Sequence, residues 1–291
     1  MVLTCTAQRS GKLLSFLRRE LGMSSGLVKR LKYDHAFAVN GTAQYTNFPV
    51  QPGDVITVTI LESQPDYPAQ EGPLDILYED EALIALDKPA GILMHPSSAR
   101  GTGTLANYLA GYYAATGQAC LVHPVSRLDR DTFGVVLVAK NAHAHASMQK
   151  AMQAGGVEKV YQASVFGGPE RDYGRLDYPI YRPDPMRMQR AVGPQGQAAV
   201  TDFQVLARGG KASLLELHPL TGRTHQLRLH CLTAGFPILG DPQYSTQASQ
   251  SFSDALGLPW QQLCAVRLTF PHPITGREIS LESRQAVWWE P

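Results

Sequence analysis

The chain has 291 residues, 44% hydrophobic and 18% charged, with a formal net charge of +1. That is enough apolar mass for one large domain beside a small one, and too much for a disordered chain. No stretch approaches the roughly 18 consecutive apolar residues of a membrane span. The opening MVLTCTAQRSGKLLSF lacks the order of a signal peptide, so a cytoplasmic protein is expected. Cys5, Cys120, Cys231 and Cys264 are too scattered for a zinc site or a disulfide framework, and are expected to be reduced and mostly buried. The charge is uneven: residues 1–61 carry +4 (Arg9, Lys12, Arg18, Arg19, Lys29, Arg30, Lys32 against Glu20, Asp34, Asp54) and the remainder −3. A basic end on an otherwise acidic chain points to a polyanionic partner met through that end.

In chain order, Leu13, Leu14, Phe16, Leu17 and Leu21 recur at helical spacing. Ser24-Ser25 offers an N-cap for a second helix carrying Leu27, Val28 and Leu31, with Lys29, Arg30 and Lys32 around its end. AFAVNGTAQ predicts a short strand and an Asn-Gly hairpin turn, and QPGDVITVTIL a Pro-Gly turn into an alternating strand. Residues 1–61 are therefore expected to form a self-contained module. ESQPDYPAQEGPL, residues 62–74, has three prolines and no apolar period, and predicts a linker. Residues 75–291 are dominated by strand patterns (LIALDK, GVVLVAK, KVYQASVFG, AAVTDFQVLAR, ASLLELHP, LCAVRLTF, EISLES), with helical patterns around 102–115, 141–154 and 224–234. Many strands with few intervening helices predict an α+β fold with a mixed, mainly antiparallel sheet.

Four stretches could carry chemistry. In HPVSRLDRDTFGVVLVAK, residues 123–140, an Arg/Asp cluster runs straight into a strand that reads as fully buried. Arg127 and Arg130 flank Asp129, the pattern of a positioned carboxylate; composition does not choose between Asp129 and Asp131, and a plain surface cluster gives the same pattern. In TGRTHQLRLHCLTAGFPILGDPQY, residues 221–244, Thr224 looks like an N-cap and Gly235 a stop for a short helix. There Arg228 sits one step from the apolar face of Leu227, Cys231 and Ala234, and calls for a carboxylate or phosphate partner. His225 and His230, five apart, suit packing or hydrogen bonding better than metal ligation. Alternation along KVYQASVFG puts Lys159, Tyr161, Ala163 and Val165 on one strand face. Tyr161 there is either core or a platform for a base. LDKPAGILMHPS, residues 86–97, reads only as a strand and a loop.

Together these stretches resemble the motifs of the RluA-type RNA pseudouridine synthases, in the same order. The resemblance rests on YEDEALIALDKPAG at 78–91, Ser126-Arg127-Leu128-Asp129 followed by Thr132-Phe133-Gly134, KVYQASVFG at 159–167, GRTHQLRLH at 222–230, FPILGDPQY at 236–244 and RLTFPHPITG at 267–276. It spans essentially all of residues 75–291. Residues 10–61 resemble a small RNA-binding module named after a ribosomal small-subunit protein, the S4-like module. The resemblance implies isomerisation of uridine to pseudouridine in structured RNA, ribosomal before transfer RNA, by a cytoplasmic monomer without metal or cofactor. It implies three catalytic residues: Asp129 as the catalytic carboxylate, Arg228 as its partner, and Tyr161 packed on the target base and a candidate for moving a proton. Arg127, Lys88, Arg223 and His225 are implied as RNA contacts in the large domain, and Lys29, Arg30 and Lys32 in the module. Three positions depart from the family pattern: Ser126 replaces a usual His, Phe133 a usual Ser, and Cys264 stands where His is common. Two rivals are a catalytically silent RNA-binding or ribosome-assembly factor that keeps the fold, and a glycosidase, which also uses paired carboxyl groups.

Overall fold

The computed structural model describes residues 1–33, 35–60, 67–96 and 101–290. The N-terminal module opens with strand β1 (Val2–Thr6), followed by helices α1 (Leu13–Arg19) and α2 (Ser25–Tyr33) and strands β2 (Phe37–Val39), β3 (Thr42–Ala43) and β4 (Val55–Thr59). Its four-stranded sheet has the order β1-β4-β2-β3. Leu13, Phe16 and Leu17 of α1 and Leu31 of α2 pack on Ile56 and Val58, which makes a core separate from the large domain's. The helix and hairpin expectations hold in physical detail. The Ser24 hydroxyl accepts from the Leu27 amide at 3.2 Å, and Asn40 and Gly41 both take positive φ, 50° and 78°, as a two-residue hairpin turn requires. Strand β1, which the alternation in the sequence does not announce, pairs with β4 from Val2↔Thr59 to Thr6↔Val55 and completes the sheet.

Residues 62–66 of the expected linker lie outside the described residues. Residues 67–74 are not a free spacer. The Asn107 amide donates to the Pro68 carbonyl at 3.0 Å, and the Gln70 side chain accepts from the Gly103 amide at 2.7 Å. The Gln70 carbonyl presses so closely on helix α3 (Leu105–Ala115) that a Cβ at Gly111 would come within 2.2 Å of its oxygen. Tyr67 and Leu74 join the core beneath that helix. The prolines that suggested a spacer make an extended strap that needs few donors of its own and packs on the large domain.

The large domain is built on strands β5 (Ile76–Glu79), β6 (Leu83–Lys88), β7 (Phe133–Ala139), β8 (Glu158–Phe166), β9 (Tyr173–Asp177), β10 (Val200–Arg208), β11 (Ala212–Pro219), β12 (Leu263–Pro271) and β13 (Glu278–Glu282). The sheet runs β9-β10-β11-β8-β12-β7-β6-β5, with β13 pairing β12. The β7–β12 pairing is parallel and the other pairings of these strands are antiparallel, which makes the chain α+β with a mixed, mainly antiparallel sheet. The buried run after Gly134 follows from its position. Val136 and Val138 pack under α3 on one face, while Val135, Leu137 and Ala139 pack under α4 (Ala142–Gln153) on the other. A strand covered on both faces reads as continuous apolar sequence. Gly134 is required where β7 meets β12: its φ is +105°, and a Cβ there would meet the Ala265 carbonyl oxygen at 2.3 Å. Helix α5 (Gln226–Thr233) lies against β8 and β11 through Leu227 and Cys231. Helix α6 (Gln247–Ala255) follows, capped by Thr246. No helix among the described residues is long and apolar enough to cross a membrane.

Candidate active site

A cleft of about 890 Å³ opens between the 126–132 loop, strand β8 and the start of α5, a size that suits an extruded nucleotide. Asp129, Tyr161 and Arg228, nearly 100 residues apart at the extremes, all line it. The chain enters α5 through His225, which holds a left-handed conformation (φ 59°, ψ 21°) and makes no side-chain cap. The expected Thr224 cap is therefore absent. The reason is visible in the turn: the Gln226 side-chain oxygen accepts from the Arg223 amide at 3.0 Å and the Thr221 hydroxyl at 2.8 Å, which leaves no capping role for Thr224. The left-handed turn sets the His225 imidazole 2.8 Å from the Tyr244 hydroxyl. Such backbone costs of order 1–3 kcal/mol and persists where the surroundings enforce it.

The two carboxylates of the 126–132 loop separate cleanly. Arg130 forks onto Asp131 with Nε–Oδ1 at 2.9 Å and Nη2–Oδ2 at 2.8 Å, a closed pair of neighbours. Asp129 receives Arg228 Nη1 at 3.0 Å on Oδ2. His225 Nε2 stands 3.9 Å from the same oxygen, beyond hydrogen-bond range. The rest of the Asp129 carboxylate faces the cleft.

Arg228 is held from behind by a residue the sequence reasoning did not single out. Asp241, fully buried, takes Arg228 Nε at 2.7 Å and Nη2 at 2.8 Å. The amides of Gln243 and Tyr244 also donate to Asp241 at 2.9 Å each. The Arg228 guanidinium lies over the Tyr244 ring, 4.8 Å from its centroid. Burial pulls the guanidinium down, but Asp241 and then Asp129 outweigh it and hold Arg228 well above its ordinary value. Burial lowers His225 below its usual range, Asp129 opposes this, and Arg228 and Arg190 add to it, so the imidazole is neutral at neutral pH. Tyr161 is pushed up by burial, then by Asp129 and Cys264, and keeps its proton.

The expected RNA contacts fall into three groups. Arg127 and Arg223 are exposed and line the cleft, and His225 lines it at Asp129. Lys29, Arg30 and Lys32 are exposed on α2, outside the cleft. Lys88 is corrected. It is 0% exposed, and its ammonium donates to the carbonyls of Pro89, Ile92 and Arg130, each at 2.9 Å. An ammonium has three donors, so none is left for a phosphate. It ties the 89–92 turn to the loop that bears Asp129. Burial lowers its pKa to about 7, against the opposing pull of Asp131 and Asp129.

Two of the three departures from the family pattern meet. Phe133 and Cys264 are directly paired residues of β7 and β12 and share one apolar cluster with Val287. Where the resemblance implies a polar Ser and His, this chain has an apolar pair behind the loop. Ser126, the third, lines the cleft.

A family model described as RNA pseudouridylate synthase matches residues 82–233. The uncharacterised RNA pseudouridine synthase YlyB of Bacillus subtilis is 37% identical over 281 residues, 95% of this chain and 91% of the relative. Ribosomal large subunit pseudouridine synthase D of Vibrio parahaemolyticus is 36% identical over 242 residues, covering 80% of this chain and 74% of the relative. The human RNA pseudouridylate synthase domain containing 4 has a similar solved structure, with TM-score 0.59, 28% identity and coverage of 72% of this chain and 88% of that one.

Proposed function

Because the chain belongs to the RNA pseudouridylate synthase family, and is thus an isomerase acting on RNA, we propose that it converts particular uridines of ribosomal RNA to pseudouridine, with Asp129 as the catalytic carboxylate. The reaction breaks the bond from the sugar to base nitrogen 1 and forms one to carbon 5 of the same base. No electrons enter or leave, so the reading needs no redox cofactor, and none of its steps requires a metal. Two routes are open to Asp129, attack on the nucleotide and removal of a sugar proton. Both need a carboxylate fixed in direction with a free oxygen face toward the substrate. The observation that carries the reading is that Asp129 has this arrangement: Arg228, itself clamped by Asp241, holds Oδ2, and the remaining acceptor capacity points into the cleft.

The target uridine must leave its stack to reach Asp129, and Tyr161, neutral and lining the cleft, offers a surface on which the base can restack. Arg127 and Arg223 at the mouth are the cleft's RNA contacts, with His225 beside the reacting carboxylate. The basic module over residues 1–61, with Lys29, Arg30 and Lys32 on its second helix, is a second, S4-like RNA contact that selects the substrate. The name of the Vibrio relative, which specifies the large ribosomal subunit, supports ribosomal before transfer RNA and with it a cytoplasmic location; a monomer is part of the same proposal. The test is tritium release from large-subunit ribosomal RNA labelled at uracil carbon 5. Isomerisation releases the label; a silent binder or a glycosidase does not.

A further inference from the structure

The cleft's cations are mostly committed. Arg228 is taken by Asp129 and Asp241, Arg130 by Asp131, and Arg223 gives its Nε to the Ala198 carbonyl at 3.0 Å. Arg182 and Arg190 donate to carbonyls within their own segment. Lys159 differs. It lines the same cleft, as Gln149 and Met152 of α4 do, and is partly buried. Among the described residues its ammonium has neither a hydrogen bond nor an ion pair. Burial lowers its pKa, and no neighbouring charge accounts for any of the shift. A partly desolvated charge with no partner is costly, and a fold retains one where a ligand completes it.

The position says which ligand. Lys159 is two residues before Tyr161 on β8, about 6.6 Å along a strand. It therefore reaches into the cleft one nucleotide-sized step from the platform for the base. The ladder with β12 skips a residue between these two positions, pairing Val160 with Arg267 and Tyr161 with Ala265. Such a bulge re-aims side chains beside a site.

Resting on the reading of this cleft as a uridine site in RNA, we infer that Lys159 is a substrate-binding residue whose ammonium pairs with a backbone phosphate next to the extruded uridine and sets how deeply the strand seats. The interaction is a charge-assisted contact to an anion that arrives only with the substrate, so it acts on binding and leaves the bond rearrangement to Asp129.

The test uses the full chain with Lys159→Met, Lys159→Gln and Lys159→Arg, and a transcript of large-subunit ribosomal RNA labelled at uracil carbon 5. With Met or Gln, KM is expected to rise about tenfold or more, as loss of a charged hydrogen bond implies, with kcat within about twofold. The log–log salt slope of RNA affinity should fall by about 0.7 to 0.9, one phosphate's worth. Arginine should restore most of both. An unchanged KM and slope, or a fall in kcat at unchanged KM, overturns the inference. Using Met and Gln together guards against one variant folding poorly, which thermal melting reports. If the parent chain releases no tritium, the functional reading fails by itself, and the salt slopes measured by filter binding still decide the role of Lys159.

Discussion

Two buried charge networks in the large domain can be set side by side. At one edge, Asp80 and Glu79 of β5 and its turn meet Lys140 and His272. At the cleft, Asp129 and Asp241 meet Arg228. Both draw on the family-like motifs, and the side chains of Asp80 and Asp129 are equally exposed, 29% and 28%. Exposure therefore does not separate them; hydrogen-bond saturation does. Asp80 accepts from the Tyr78 hydroxyl at 2.6 Å, the Ala82 amide at 2.7 Å, the Leu83 amide at 2.8 Å and His272 at 2.7 Å. Those four donors use up what a carboxylate can accept. Among the described residues Asp129 has a single protein donor, Arg228 at 3.0 Å. A saturated carboxylate binds its loop; a carboxylate with one fixed donor and a free face has lone pairs left for substrate. Asp241, saturated like Asp80, lets Arg228 stay fixed while it spends one nitrogen on Asp129.

The contrast breaks most sharply at Asp129→Asn. The near-isosteric change should leave melting temperature and RNA binding close to the parent's and lower tritium release by about a thousandfold or more, at the upper part of the range for removal of a positioned acid–base group. Asp131→Asn, which loosens the pair with Arg130 and removes a charge near Lys88 without touching Arg228, should keep most of the activity. A loss as large as that of Asp129→Asn would mean the wrong carboxylate has been chosen. Next is Arg228→Leu. It strands Asp241 as a buried, unpaired charge and should cost about 3–5 kcal/mol of stability together with activity. Asp241→Asn should keep the fold better than Arg228→Leu and still lower kcat by letting Arg228 turn. Chemical denaturation and single-turnover rates on the same preparations measure both.

On the other side of the comparison, Asp80→Asn should act on stability and spare the chemistry. Burial raises the Asp80 pKa, but the Tyr78 hydroxyl, the two amides and His272 outweigh it and hold the carboxyl below its ordinary value. A depressed folded-state pKa means the unfolded chain binds the proton more readily. Asp80 therefore contributes stability above the unfolded value of about 3.9, and that contribution is lost as pH falls through the lower folded value. The melting temperature of Asp80→Asn should lie below the parent's at pH 6–7, and the gap should close on acidification. A gap that widens toward acid would reverse the assignment.

How much of this was legible in the sequence depends on whether a residue's role is set by its neighbours in the chain. The Asn-Gly hairpin, the Ser24 cap, Gly134 and the two-faced burial of Val135–Ala139 are local, and their patterns state them. Asp129, Tyr161 and Arg228 were legible through the resemblance, and the fold brings them into one cleft. Asp241 was not, because inside FPILGDPQY it looks like an ordinary turn aspartate and its partner lies 13 residues away on a helix. The same blindness explains Lys88, expected as an RNA contact and enclosed in the fold by three carbonyls. Helix α6, QASQSFSDA, buries only Ser249 and Ser253, so no apolar period marks it. Strand β1, VLTCT, opens on two adjacent apolar residues, Val2 and Leu3, so no alternation announces it, and prolines in 67–74 read the same in a strap as in a spacer.

The smallest expected effect concerns the third region, the N-terminal module. It has its own apolar core and presents Lys29, Arg30 and Lys32 on the exposed side of α2, away from the residues that line the cleft. If the module supplies phosphate contacts, changing these three to Glu should weaken affinity for ribosomal RNA at low salt and flatten the log–log salt slope by about 0.7 to 0.9 for each phosphate lost. The core residues Leu27, Val28 and Leu31 point the other way along the same helix, so the fold should survive. The rate at saturating RNA should stay near the parent's, because Asp129, Arg228 and Asp241 belong to the large domain. That split separates module from cleft: a change at Asp129 moves kcat at every salt concentration, and a change on α2 moves affinity alone, most at low salt. An unaltered slope in the triple variant would make α2 a surface for something other than nucleic acid, such as a protein partner, and would leave the phosphate contacts to the cleft.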